Sequence, residues 1–194
     1  AIIKGVAILF MIVLHCGTPD WFIRNIPAFD IYPQLQRITG VFKLCVGIFA
    51  FLVGYGYAHS KYKDWKYSLS HSIRLLIPFW SVLLITLPFI FINGEFQIGK
   101  FCLNLFGINS AYNYFSWFVA FYIYAMIVMP FMSRAIDRNP YLNTILLIGV
   151  VYLLSVLIYK FVPDYSSNDW TQRLFDCFSV SPIMLVGYLF AKKQ

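Results

Sequence analysis

The 194-residue sequence is 60% hydrophobic and 20% aromatic, whereas only 12% of its residues are charged. Its long apolar runs lack the polar faces that soluble helices and strands need, so the composition excludes a soluble globular domain. The formal net charge of +7 comes mainly from segments between apolar runs, which argues against a nucleic-acid-binding surface and indicates a polytopic protein of the lipid bilayer.

Six segments are predicted to cross the membrane as helices, because a span requires about 20 mostly apolar residues. They are residues 2–16, 38–58, 75–92, a segment centred on 117–132, 142–162 and 177–191. Pro88 and Pro130 are expected to kink or end their helices. The predicted fold class is therefore all-α, a single transmembrane helix bundle over residues 1–194. The sequence lacks an initiator Met and a signal-peptide start, so we expect it to begin inside a longer gene product.

The basic residues predict the orientation of these spans. Cytoplasmic loops of membrane proteins carry an excess of Lys and Arg. The start of the first span, the loops after the second and fourth spans, and the segment after the sixth span are therefore predicted to face the cytoplasm. Their basic residues are Lys4, Lys61, Lys63, Lys66, Arg74, Arg134, Arg138, Lys192 and Lys193. Segments 18–36, 93–114 and 163–175 are expected outside.

The second predicted span contains a stripe of small residues. Gly40, Gly47 and Gly54 recur every seven residues, with Ala50 between the last two. Small residues on one face let a neighbouring helix approach closely, so this span is predicted to be a buried packing helix.

Lys4 and His15 are the most informative ionisable residues, because they border an otherwise apolar span in which polar groups are costly. They are separated by three helical turns, so they lie on one face about 16 Å apart along the helix axis. That face is a candidate wall of a site that extends through the membrane. The alternative is that Lys4 only reaches the membrane surface and His15 only caps the helix.

A second candidate site is the basic segment before the third span, which is predicted to be a loop from Lys61 to Arg74. His71 lies one turn before Arg74, so the two side chains could face the bundle together and bind a phosphorylated ligand at the cytoplasmic surface. The Arg guanidinium suits phosphate because it presents a fork of donors. The alternative is that these residues only set the topology.

These features resemble the acyltransferase-3 family of integral membrane acyltransferases. The first helix of that family carries a basic residue, ten intervening positions and a His, as Lys4 and His15 do here. Residues 47–55 are similar to its Phe-rich second-helix segment that ends in Gly-aromatic. Residues 74–80 are similar to its basic stretch before a Pro-aromatic helix start, and residues 116–119 to its Trp-Phe-Leu segment. His71 departs from the pattern, since many members have Arg at that position.

The resemblance implies a domain of about ten spans in the cell membrane, of which these six would be the N-terminal part. It also implies transfer of an acyl group, usually acetyl from acetyl-CoA, to a hydroxyl of a carbohydrate or cell-surface glycan, without a metal. His15 would act as the general base or carry the acyl group, and Lys4 would balance negative charge or orient the site. Arg74 and His71 would bind the phosphates of CoA. Asp30, Glu95 and Asp176 are open candidates for orienting an imidazole or binding sugar hydroxyls.

Two other functions are compatible with the residues. A transporter or exporter of a polysaccharide or lipid-linked sugar would use His15 and Lys4 on a proton or substrate path. A binding or sensory membrane module would use no chemistry. The Lys4-to-His15 pattern occurs once, whereas transporters usually contain paired repeats, which favours the acyltransferase. The Phe- and Tyr-rich stretch 112–124 is interpreted as an interfacial belt with lipid-facing packing.

Overall fold

The computed structural model describes residues 5–6, 8–10, 44–112 and 116–193. Lys4, His15 and Gly40 lie outside these residues. Residues 5–6 and 8–10 are helical, and six further helices follow in chain order. They are α1 (Leu44–Ala58), α2 (Trp65–Ile92), α3 (Ile98–Asn104), α4 (Trp117–Arg138), α5 (Pro140–Phe161) and α6 (Asp169–Ala191).

Four of these helices, α2, α4, α5 and α6, are long and apolar enough to cross a membrane. They correspond to the third to sixth predicted spans, and the shorter apolar helix α1 corresponds to the second. No strand occurs among the described residues. Large apolar side chains such as Ile85 and Phe89 of α2 and Leu153 of α5 are exposed on the outside of the bundle, where lipid replaces water as the solvent. The prediction of an all-α membrane bundle is confirmed.

The start of α2 corrects the sequence prediction, because residues 65–74 are helical and do not form a loop. Asp64 caps the helix, since its carboxylate accepts a hydrogen bond from the Tyr67 backbone N–H at 2.8 Å and so satisfies a free N-terminal donor. The helix then continues through Pro78 and Pro88 to Ile92. Of the two outcomes predicted for Pro88 and Pro130, the end of a helix is excluded, because Pro88 lies inside α2 and Pro130 inside α4.

Backbone contact between α1 and α6 holds the centre of the bundle together. A Cβ atom at Gly54 would overlap the Met184 carbonyl group, and one at Gly187 would overlap the Phe51 carbonyl group. Gly47 is less tightly packed, since its Cβ position lies 3.5 Å from the Ile183 side chain. The predicted close approach is thus confirmed at Gly54, and its partner glycine comes from α6.

The aromatic residues at the start of α4 differ from the interpretation of stretch 112–124 as lipid-facing. Phe121 is fully buried in a core that also contains Tyr57 and Tyr188, and Trp117 and Phe118 pack against this core. The start of α4 is therefore interior rather than lipid-facing, because both α1 and α6 cover it.

Ion pairs and hydrogen bonds define the two ends of the bundle. At one end, Asp137 binds Lys192 at 2.9 Å and lies 3.8 Å from Lys63. This end, with residues 59–64 and 192–193, is called the basic end. At the opposite end, Asn109 donates to Asp169 at 2.7 Å. The loops after the second and fourth predicted spans and the segment after the sixth therefore share one end, and segments 93–114 and 163–175 meet at the other. Lys4 and segment 18–36 lie outside the described residues, and that the basic end faces the cytoplasm stays a prediction.

Candidate active site

A cavity of about 470 Å³ lies between α1, α2 and α4 and is called the inner cavity. Its residues extend from Phe49 to Tyr57 on α1 and from Phe118 to Met126 on α4. Each of these stretches rises about 12 Å along its helix. The cavity therefore follows the helix axes from the basic end toward the opposite end of the bundle, and its walls are mostly aromatic and aliphatic.

Tyr67, His71 and Arg74 form the polar wall of the inner cavity. They belong to α2 and are spaced by four and three residues, so they share one helix face. The same three side chains also line a smaller cavity of about 400 Å³ that includes Tyr62 and Lys66. The structure thus places His71 and Arg74 side by side on α2, where both line the two cavities; that they bind a phosphorylated ligand stays a prediction.

The hydrogen bonds of His71 fix its ring. Its Nδ1 lies 2.9 Å from the Tyr67 carbonyl oxygen, and the two ring centroids are 3.9 Å apart. Because a carbonyl oxygen can only accept, Nδ1 carries the hydrogen in this arrangement. Nε2 is therefore left for a ligand, as it has no hydrogen-bond partner within the described part of the chain.

Arg74 is exposed and forms no ion pair with the residues that the structure describes. Its position along α2 places it at the membrane surface. The 28-residue helix is about 42 Å long, which exceeds a hydrocarbon core of about 30 Å. Residues 75–92 contain no ionisable side chain and span about 27 Å. Arg74 is thus the last charge before the hydrocarbon, and its guanidinium is available to an anion.

Two buried hydroxyl groups adjoin this wall. Tyr57 of α1 and Ser68 of α2 bury their hydroxyl oxygens, and the Ser68 hydroxyl is a hydrogen-bonding neighbour of the Tyr57 hydroxyl. The Tyr57 ring lines the inner cavity and meets Tyr67 edge-on with centroids 5.5 Å apart. A buried hydroxyl costs free energy unless water or a ligand supplies a partner. Tyr57 therefore adds a candidate hydrogen-bonding group to the cavity.

Lys63 has a structural role that the sequence does not reveal. Its ammonium donates to the Tyr188 hydroxyl at 3.0 Å, and that hydroxyl donates to Asp137 at 2.9 Å. Burial lowers the pKa of Lys63, while Asp137 acts in the opposite direction. The hydrogen bond to Asp137 raises the pKa of Lys192. These contacts join the loop before α2 to the ends of α4 and α6, and they direct Lys63 away from the inner cavity.

Sequence reasoning found only part of this cavity. Lys4 and His15 lie outside the described residues, so their distance from Arg74 and His71 stays a prediction. Tyr67 was missed although its spacing of four residues from His71 is a recognisable signal. Tyr57 and Phe118 carry no such signal, because their approach to α2 depends on packing between helices.

Together the apolar outer faces, the long helices and the cavity between them define the chain as a polytopic α-helical membrane protein. The model of the acyltransferase-3 family, described as an acyltransferase domain, matches residues 2–194. The chain belongs to this family and is a membrane acyltransferase domain. No curated protein and no solved structure matches it.

Proposed function

We propose that this protein transfers an acyl group, most simply acetyl, from acyl-CoA to a hydroxyl group of a carbohydrate or cell-surface glycan at the cell membrane. The observation that carries the proposal is the inner cavity. It combines a cationic entrance at the basic end with an apolar interior that continues toward the opposite end. Acyl-CoA has the matching polarity, since its phosphates are anionic and its acyl end is uncharged.

In this proposal Arg74 and His71 bind the phosphates of the donor. The Arg guanidinium can bind two phosphate oxygens at once, and Nε2 of His71, which has no partner among the described residues, can supply or accept a further hydrogen bond. The Tyr57 hydroxyl would bond a polar group of the pantetheine arm. The apolar walls at Phe49 and Phe118 would surround the thioester end.

His15 acts on the acceptor in the proposed reaction. As general base it removes the proton of the acceptor hydroxyl while the hydroxyl oxygen bonds to the acyl carbonyl carbon. The carbon–sulfur bond of the thioester breaks, and the leaving thiolate takes up a proton, so free CoA and an ester are formed. If His15 instead carries the acyl group transiently, the same bonds form and break in two steps. Lys4, about 16 Å from His15 along the helix axis, would balance negative charge on the donor or orient the site.

The test is transfer of radiolabelled acetyl from acetyl-CoA by the purified protein in lipid nanodiscs. The acceptor is surface glycan prepared from cells that lack the gene. We expect label in the glycan that mild base releases as acetate, since an ester is labile to base. Intact acetyl-CoA together with movement of unmodified glycan across a vesicle membrane would instead establish a transporter. Intact acetyl-CoA without transport would leave a binding module.

A further inference from the structure

We propose that a second cavity, at the opposite end of the bundle from the basic residues, binds a neutral carbohydrate. This outer cavity has a volume of about 420 Å³. It lies between the start of α4, the start of α6 and the loop before α4. Its lining residues are Ser110, Trp117, Gln172, Arg173, Asp176 and Val180.

Arg173 provides the fixed framework of the outer cavity. Its Nε donates to the Ile108 carbonyl at 2.9 Å, one terminal nitrogen donates to Asp176 at 2.8 Å, and the other donates to the Ser110 hydroxyl. The guanidinium therefore ties α6 to the loop before α4 through three different partners. Because Asp176 balances the charge of Arg173, the pair presents no net charge to the cavity. A neutral ligand fits this balance better than an anion.

Three further polar groups of the outer cavity are suited to binding the hydroxyl groups of a sugar. Within the described part of the chain, the Gln172 side-chain amide, the Trp117 indole N–H and the Asp176 Oδ1 atom have no hydrogen-bond partner. An amide both donates and accepts, a carboxylate oxygen accepts from hydroxyls, and an indole N–H donates. Polar groups beside a membrane interior are costly unless they are satisfied. A ring with several hydroxyl groups offers both donors and acceptors to these groups.

The Trp117 ring adds an apolar surface to these polar groups. A sugar ring has C–H faces as well as hydroxyl edges, and binding sites of this kind combine apolar walls with a few placed polar groups. Trp is suited to such a site because it offers a large flat surface and one donor. Val180 extends the apolar part.

The position of the outer cavity relates it to the proposed reaction, and this part of the argument rests on the proposed function. Trp117 lines the outer cavity and Phe118, the next residue, lines the inner cavity. Their ring centroids are 6.1 Å apart. An acceptor hydroxyl in the outer cavity would therefore lie across two side chains from the acyl end of a donor in the inner cavity.

Binding is tested without acyl transfer, by saturation-transfer-difference NMR on the full chain in lipid nanodiscs. The probes are the methyl glycosides of glucose, galactose, mannose and N-acetylglucosamine, with methyl glucuronoside as the anionic comparison. We expect a signal from at least one neutral glycoside and a weaker one from the glucuronoside. Gln172→Ala and Trp117→Leu should each weaken the affinity by about 2- to 10-fold.

Leu174→Ala is the matched control, because Leu174 lies on the same turn of α6 but is exposed on the outside of the bundle. It should bind like the wild type. Absence of signal from all four neutral glycosides, a preference for the glucuronoside, or equal binding by wild type, Gln172→Ala and Trp117→Leu would overturn the proposal. These results do not depend on acetyl-CoA. A protein that binds the glycosides but leaves acetyl-CoA intact would contradict the proposed function and retain the carbohydrate site.

Discussion

Gly54 of α1 and Gly187 of α6 lie at a contact where each helix touches the backbone of the other. Any side chain at either position overlaps a carbonyl group that belongs to the facing helix. The contact fixes the distance between α1 and α6, and α1 in turn carries Phe49, Val53 and Tyr57 into the wall of the inner cavity.

The first prediction is that Gly54→Ala and Gly187→Ala each destabilise the protein. The added methyl group forces the two backbones apart, and overpacking of this kind costs about 1–3 kcal/mol. The measurement is the free energy of unfolding by a denaturing detergent. Gly149→Ala is the control, since a Cβ atom there meets open space on α5 and Ala favours a helix over Gly. Equal stability of Gly54→Ala and Gly149→Ala would contradict the packing argument.

The second prediction concerns the donor. Arg74→Ala should raise the KM for acetyl-CoA about 10- to 100-fold with a smaller effect on kcat, because a bond to a phosphate is present in both the ground state and the transition state. Arg74→Lys should recover only part of the loss, since a point charge replaces a two-pronged donor. The measurement is the initial rate of acyl transfer at increasing acetyl-CoA concentrations, which gives KM and kcat for the wild type and each variant.

Arg138→Ala is the control for Arg74→Ala. It removes the same charge at the same end of the bundle, from the last turn of α4, and Arg138 lies outside both cavities that Arg74 lines. Its KM should match the wild type. Equal increases in the KM of both variants would mean that Arg74 acts only through the general surface charge.

The third prediction concerns His15. His15→Ala should lower kcat by about 10²- to 10⁴-fold while the KM for acetyl-CoA changes little, because a general base acts on the acceptor. The amount of protein in the membrane and its thermal unfolding should equal those of the wild type. Near wild-type activity in a normally inserted variant would instead make His15 a helix cap.

The fourth prediction concerns Asp137, which binds Lys192 and the Tyr188 hydroxyl at the basic end. Asp137→Asn should lower the free energy of unfolding by about 1 kcal/mol or less, because the ion pairs are partly exposed. Added salt should reduce the difference between the two proteins. Arg138→Gln, in the next position, serves as the control, and an equal loss in both variants would exclude a specific role for Asp137.

The same contact predicts a dependence on pH. The hydrogen bond to Asp137 raises the pKa of Lys192 above 10.5. Its contribution to stability is therefore complete below pH 10.5 and lost as the pH rises through the higher value of the folded state. Burial lowers the pKa of Lys63 in the same cluster, which acts in the opposite direction as the pH rises. The Lys192 component is therefore measured as the difference in stability between the wild type and Asp137→Asn from pH 9 upward, in about half-unit steps.

The helix bundle was predictable because apolar runs of membrane length leave few alternatives. The start of α2 was misjudged because Lys66 and His71 interrupt the apolar pattern, and the single cap at Asp64 decides the boundary. Gly54 was identified as a packing position, whereas Gly187 was not, since its importance depends on which helix faces it. The Arg173 network was also missed. Its partners Ile108 and Ser110 are 65 and 63 residues away, and a contact over such a separation produces no pattern in the local sequence.

The wall at Trp117 and Phe118 has a further consequence for the length of the acyl chain. Trp117 of the outer cavity and Phe118 of the inner cavity are neighbouring aromatic side chains of α4, with ring centroids 6.1 Å apart. A group of two or three carbon atoms needs little rearrangement of these rings to pass between them, whereas a long chain must displace them from the core against which they pack. Such displacement is costly because interiors are close-packed. In the proposed reaction this packing would therefore favour short acyl groups, and truncation of the ring by Phe118→Ala is expected to shift the preference toward longer ones.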